Sequence, residues 1–332
     1  RFLGLMMGCG SFVTAAAPAI GPTFGGIMTQ YFTWRYIFIC VLPVIVLASF
    51  IGYFCMSEQI INKHEKFDLL SFIAVALAFV SLIMGFSNLN QIVDDLVFVL
   101  GCFIIGIISL YYFTKRQLHI KNSLIRIEIF NHKDFTFHTL AIMFLQMTTL
   151  GYGLLLPTFV QIVLKQPATD AGVVLLPGAI VGAVFAPIGG LILDRLGAKK
   201  PIVLGLCCSF IATFCFLFFF KNLTYQSCIL FYFIYSLGIG LIVGNTMTSA
   251  MSHLPKNLQA DGNATLQTLM QLSGGIGTSI TATILAFVQQ GTNLYDGTNR
   301  GALFVLIFLM FNINIVILSQ YFAFKGGRKN EF

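Results

Sequence analysis

Long stretches of this chain contain no Asp, Glu, Lys or Arg. Ten of them reach the roughly 18 residues that mark a candidate span: 2–34, 36–57, 69–93, 96–114, 135–164, 171–193, 201–220, 222–255, 262–295 and 301–324. A helix needs about 20 residues to cross a hydrocarbon core of ~30 Å. Inside a bilayer the backbone must satisfy its own hydrogen bonds, which leaves helices and closed barrels. A barrel strand alternates polarity over ~10 residues, whereas these runs are continuously apolar. The pattern therefore predicts an all-α polytopic membrane protein with ten spanning helices.

Composition agrees. Of 332 residues, 57% are hydrophobic and 9% charged, against about a quarter charged in a soluble domain. The 35 Phe and 11 Tyr exclude a solvated, disordered chain. The cysteines at 9, 40, 55, 102, 207, 208, 215 and 228 all fall inside predicted spans and read as small apolar residues. Their spacing predicts no metal site and no disulfide. No Ser/His/Asp or metal-ligand cluster forms among the five His, so neither an enzyme nor a cofactor is predicted. The glycines at 238, 240 and 244, and at 274, 275 and 277, lie in apolar helices without a preceding strand. They read as packing sites, not as a nucleotide loop. The chain opens on Arg1, not Met, and enters its first run at once. It reads as the remainder of a longer protein, with no signal peptide.

Charge sets an expected orientation. With ten spans, both ends face one compartment. Placing Arg1 in the cytoplasm puts fifteen of the nineteen Lys and Arg residues on that side, leaving Arg35, Lys165, Lys221 and Arg300 outside. The positive-inside rule favours this arrangement. It also assigns the whole net charge of +7 to the inner face, which accounts for the basic balance without nucleic acid. The longest inner loop, 114–134, divides the chain. It is read either as a basic linker or as an amphipathic helix on the inner leaflet, with Leu118, Ile125 and Ile129 on one face and Lys121 and Arg126 toward anionic headgroups. Six helices follow it, a natural half of a transporter built from repeats.

Two motifs carry mechanism. Residues 15–26 read AAAPAIGPTFGG. Pro18 and Pro22 each remove a helix hydrogen bond and bend the segment. Gly21, Gly25 and Gly26 allow close approach of another helix, either as a hinge or seal or as plain packing. The second motif lies between the sixth and seventh runs: Gly190, Asp194, Arg195, Gly197, Lys199 and Lys200, followed by Pro201. Gly197 suits a tight turn. Asp194 has Arg195, a lysine or a helix N-terminus as candidate partners, in a lock that could open and close.

The first stretch, with Gly8 nine positions before Ala17, resembles the antiporter motif of the major facilitator superfamily, although that motif carries Gly where Ala17 stands. The YFTWRYIFICVLPV that follows resembles the Trp-Arg loop and sixth helix of the fourteen-span drug/proton antiporters. The 190–201 stretch resembles the loop motif between the second and third helices of each half in that superfamily. LLLPTFVQIVL in the fifth run and AGVVLLPGAIVGAVFAPIGG in the sixth add to the likeness, which covers essentially the whole chain. It implies a major-facilitator-type bundle lacking its first four helices. Residues 1–57 would close the N-terminal half, 58–134 would hold two extra central helices and the basic linker, and 135–332 would form the six-helix C-terminal half.

Polar residues within spans face a cavity or another helix. In the ninth run Gln267, Gln271, Gly274 and Thr278 share one helical face. Asn245, Thr248, Ser249 and Ser252 do so in the eighth, and Gln146, Thr149 and Gly153 in the fifth. The resemblance implies that the fifth, sixth, eighth and ninth runs line the cavity while the seventh and tenth lie outside. For each stripe the alternative is interhelix hydrogen bonding, and Asn312 and Asn314 in the tenth run are read as bonding another helix. All twelve Asp and Glu lie in loops or at helix ends, so no proton carrier is evident mid-membrane. In the resembled family the coupling acids lie in the missing helices. His138 and His253 read as helix-end residues. The expected function is proton-coupled efflux of hydrophobic or amphipathic drugs across the cell membrane, with small-molecule substrate, protons and lipid as partners. The alternative is a carrier of another solute, such as a metabolite, peptide or siderophore.

Overall fold

The structure, a computed structural model, describes residues 21, 23–55, 68–91, 95–120 and 125–327. The described residues are helical, with no strand among them. Residues 23–31 form α1. Then come α2 (Arg35–Cys55), α3 (Leu69–Ser87), α4 (Leu96–His119), α5 (Lys133–Ile162), the short α6 (Ala168–Val173), α7 (Leu176–Leu196), α8 (Lys199–Phe218), α9 (Tyr225–Ser252), α10 (Gln259–Gln289) and α11 (Leu294–Gly327). Nine helical segments among the described residues are long and apolar enough to cross a membrane. Most of the first predicted span lies outside the described residues.

Charges mark the ends of apolar runs but not the ends of helices. Helix α11 begins at Leu294 and carries Asp296 and Arg300 within it, and α5 opens on Lys133 and Asp134. The helices continue past the hydrocarbon edge, where a charged side chain can reach water. The sixth run is broken: α6 ends at Val173 and α7 restarts at Leu176, with Pro177 in its first turn. Proline there gives up an amide that has no helical partner anyway.

Helices α5 to α11 pack around α5, which meets α6, α9, α10 and α11. At its centre the rings of Tyr152 and Tyr235 lie 4.7 Å apart, and the Tyr152 hydroxyl donates to Thr213 Oγ1 at 2.9 Å. Helix α9 crosses two neighbours on glycine. A Cβ on Gly205 of α8 would stand 2.6 Å from the Gly238 carbonyl, and a Cβ on Gly240 would collide with the Gly182 carbonyl of α7. The run Gly238-x-Gly240 thus serves two close crossings, as small residues do in membranes. On α10, Gly277 does the same against the Met147 backbone of α5. The outer face of α8 exposes Val203, Leu204, Ile211, Phe214 and Phe218, and α2 buries none of its residues.

The 114–134 segment departs from the amphipathic-helix expectation. Its first residues continue α4 to His119, and Ile127–Asn131 form a single 3-10 turn. Leu118 is exposed, while Ile129 is fully buried with Phe135, Leu258 and Leu266. These residues therefore share no lipid-facing stripe. Lys121 lies outside the described residues. The segment instead ties the α3–α4 hairpin to the bundle. Arg116 donates to both carboxylate oxygens of Asp68 at 2.9 and 3.0 Å, Gln117 donates to Ser71, and the Ile125 amide donates to Gln117 Oε1 at 3.2 Å. Arg126 then pairs with Asp261 of α10 at 3.1 Å. At the other end of the hairpin, Ser87 and Ser279 hydroxyls lie 2.8 Å apart and Thr283 donates to the Phe86 carbonyl at 2.8 Å.

The tenth-run asparagines also depart from expectation. Asn314 is exposed and donates to the Met310 carbonyl of its own helix. Asn312 is fully buried, and neither amide atom finds a partner among the described residues. A polar group in a spanning helix need not reach across to another helix when its own preceding turn accepts its bond, as for Asn314.

Candidate functional site

The glycine-rich motif meets the opposite part of the bundle at α6. Thr23 Oγ1 donates to the Gly172 carbonyl at 3.0 Å, and the Thr169 amide donates to Gln30 Oε1 at 3.0 Å. Between them Gly26 sits against α6: a Cβ there would lie 2.8 Å from the Ala168 carbonyl. Among the described residues, nothing lies within 4 Å of a Cβ on Gly21 or Gly25. Of the three glycines singled out, then, Gly26 makes the close approach. Pro22 lies outside the described residues. Short polar side chains and a missing Cβ let two backbones meet at a seam where any larger residue would force them apart.

The second motif closes the α7–α8 turn at the other end. Gly197 has φ +79° and its amide bonds the Leu193 carbonyl at 2.9 Å. That backbone conformation requires glycine. Gly190 is buried. Asp194, Arg195, Lys199 and Lys200 are exposed, and none forms an ion pair among the described residues. The candidate partners of Asp194 are thus unengaged in this conformation.

The polar stripes divide by how far they are already satisfied. Thr149 donates to the Leu145 carbonyl and lies 2.9 Å from the Tyr235 hydroxyl of α9, an interhelix contact. Asn245 is buried, donates to the Leu241 carbonyl at 2.7 Å, and presses its Nδ2 to 2.8 Å from the Cβ position of Gly189 on α7. It faces the α7–α9 crossing and no open space. Thr248 bonds back to Gly244. Gln146, Gln267 and Gln271 remain. Gln146 and Gln267 are half-buried, Gln271 is exposed, and no described residue satisfies their amides. The Gln146 Cγ lies 3.3 Å from the Cβ position of Gly274, which shares a face with Gln267 and Gln271. Gln146 thus borders the α5–α10 seam, and Gln267 and Gln271 share the helical face of Gly274, each amide able to donate and accept.

His138 lies in the second turn of α5, near the end of the helix as expected, and is fully buried. Its Nδ1 faces Gln320 Oε1 of α11 at 3.0 Å, so Nδ1–H donates, and Nε2 accepts from the Ser249 hydroxyl of α9 at 3.1 Å. Gln320 Nε2 in turn donates to Thr246 at 3.3 Å. His253, which caps α9, stands with its ring 5.9 Å away. A lone histidine gave no spacing signal, because its partners lie on helices distant in sequence.

The family model of the Major Facilitator Superfamily matches residues 1–278. The chain belongs to the major facilitator superfamily. Members of this superfamily are carriers, and the nine candidate spans among the described residues fit a multi-pass membrane protein of that family. It is 32% identical over 289 residues to the lincomycin resistance protein LmrB of Bacillus subtilis, covering 85% of this chain and 60% of that protein. It is 30% identical over 298 residues to LmrB of Listeria monocytogenes, covering 90% and 63%. It is 29% identical over 283 residues to the MFS-type transporter YcnB of Bacillus subtilis, covering 85% and 60%. The chain spans about three fifths of the length of these curated relatives.

Proposed function

We propose that this superfamily chain is the greater part of a proton-coupled exporter of hydrophobic or amphipathic drug-like molecules. Residues 1–57 belong to one half, 135–332 form the other, and 58–134 hold the intervening hairpin and linker. The basic end, with Arg195, Lys199, Lys200 and Lys325, faces the cytoplasm. The observation that carries this reading is the seam between α1 and α6. There the glycine motif that resembles the antiporter signature docks by Thr23, Gly26 and Gln30 onto the C-terminal unit. Two backbones so close make a seal that parts when the halves rock. Alternating access by rocking needs such a contact at one end and a releasable one at the other. The exposed Asp194 and its basic neighbours supply the second.

Gln146, Gln267 and Gln271 border the substrate path. Uncharged amides beside apolar walls suit amphipathic compounds, because they orient polar groups without requiring a fixed charge. No Asp or Glu among the described residues lies mid-span. The lincomycin resistance of the LmrB relatives points to the same class of cargo.

The test is expression of the full-length gene in a drug-sensitive bacterium, with a susceptibility panel that includes lincomycin and lipophilic dyes. Raised tolerance, with dye efflux that collapses when a protonophore removes the gradient, is expected. Unchanged tolerance across the panel, with gradient-driven movement of a metabolite, peptide or siderophore instead, would overturn the reading.

A further inference from the structure

A crevice of about 630 Å³ runs between α8 and α11 on the outer surface of the bundle. Its walls are apolar, including Val203 and Phe210 from α8 and Ile317 and Phe324 from α11. At its mouth stand Lys199, the first residue of α8, and Lys325, near the end of α11. Both are exposed, and among the described residues neither is ion-paired and no acidic residue lines the crevice. Tyr321 lies one turn below Lys325 on the same wall.

The dimensions match one leaflet. From Lys199 to Phe210 is eleven residues, about 17 Å along a helix at 1.5 Å per residue. Half of a bilayer core is about 15 Å. The lysines therefore sit at the headgroup level when the walls reach the midplane. Any lipid-facing groove holds acyl chains, but this one couples an acyl-sized slot to two exposed cations at the depth of a phosphate. Those lysines disfavour a cationic drug there and favour an anionic headgroup.

We propose that the α8–α11 crevice is a binding site for an anionic phospholipid, with its phosphate between Lys199 and Lys325 and one acyl chain along Val203 and Phe210. The inference is independent of the cargo and of the coupling ion. It makes the basic end of the bundle a selective surface and not merely a positively charged one.

The test is native mass spectrometry of the protein in mild detergent, offered equimolar phosphatidylglycerol and phosphatidylcholine of identical chains. The wild type is expected to retain phosphatidylglycerol preferentially. Each headgroup-level lysine contributes about 1 kcal/mol to binding an acidic lipid, so the Lys199→Gln/Lys325→Gln variant should lose roughly 30-fold in that preference. Lys221→Gln removes a like charge at the opposite end of α8 and should leave it unchanged. Val203→Trp fills the slot without altering charge and should lower retention of both lipids at this site. Equal retention of the two lipids by the wild type, an undiminished preference in the double lysine variant, or a loss in Lys221→Gln as large as in that variant would overturn the site. Displacement by glycerol phosphate alone, or full retention by Val203→Trp, would show headgroup binding without the acyl seat and would overturn it equally.

Discussion

The imidazole of His138 on α5 joins Gln320 of α11 at 3.0 Å and Ser249 of α9 at 3.1 Å, so one buried ring pins three helices together at the basic end of the bundle. A hydrogen-bonded polar group in such a place adds little net stability, but orphaning its partners costs about 1–3 kcal/mol. His138→Leu leaves the Gln320 carbonyl and the Ser249 hydroxyl buried without a partner. The variant is expected to lose stability of that order in thermal unfolding in detergent, while His138→Gln, which can replace one bond, loses less. Equal stability of His138→Leu and wild type would mean that the network relaxes freely.

Glycine contacts separate into two kinds. On Gly238 an added Cβ meets the Gly205 carbonyl and Ser209 of α8, whereas on Gly153 it meets no described residue within 4 Å. Alanine exceeds glycine in helix propensity by about 1 kcal/mol, and overpacking costs about 1–3 kcal/mol. Gly153→Ala should therefore raise the unfolding temperature and Gly238→Ala should lower it. The same sign for both would refute the close α8–α9 crossing.

That contrast also marks what was legible in advance. Continuous apolar runs announced the helices, because a span must be both long and uncharged. Gly238 and Gly240 were foreseen as packing sites, though not their partners Gly205 and Gly182 on two different helices. Asn245 shared a helical face with Thr248 and looked equally suited to a cavity. Rotation of α9 turned it instead into the α7–α9 crossing, a fact set by neighbours and not by its own periodicity. The Arg126–Asp261 pair and the burial of Ile129 were likewise hidden, since a linker's partners are chosen by tertiary distance.

Asp68 caps the α3–α4 hairpin under two donors. The Arg116 guanidinium and the Ser71 hydroxyl hold its carboxyl well below the usual carboxylate range. A depressed carboxylate contributes stability that is complete above its unfolded value of about 4 and is lost only as pH falls through the lower folded value. The stability difference between wild type and Asp68→Asn should accordingly stay constant from pH 8 to about 5 and shrink only in stronger acid. A difference already gone at about pH 6 would show that Arg116 does not hold the charge.

The α1–α6 seam makes the sharpest functional prediction. A side chain on Gly26 would drive into the Ala168 carbonyl at 2.8 Å, and the flanking bonds from Thr23 and to Gln30 fix the register, so α1 cannot rotate to escape it. A Cβ on Gly25 meets no described residue within 4 Å. In the full-length protein, Gly26→Leu should insert at normal levels and lose gradient-driven dye efflux, because the seal cannot re-form in each cycle. Gly25→Leu should lose markedly less. If the two variants fall equally, the motif acts through general helix bending and not through this contact. If Gly26→Leu transports normally while its insertion is unchanged, the seam is packing alone and the alternating seal must lie elsewhere.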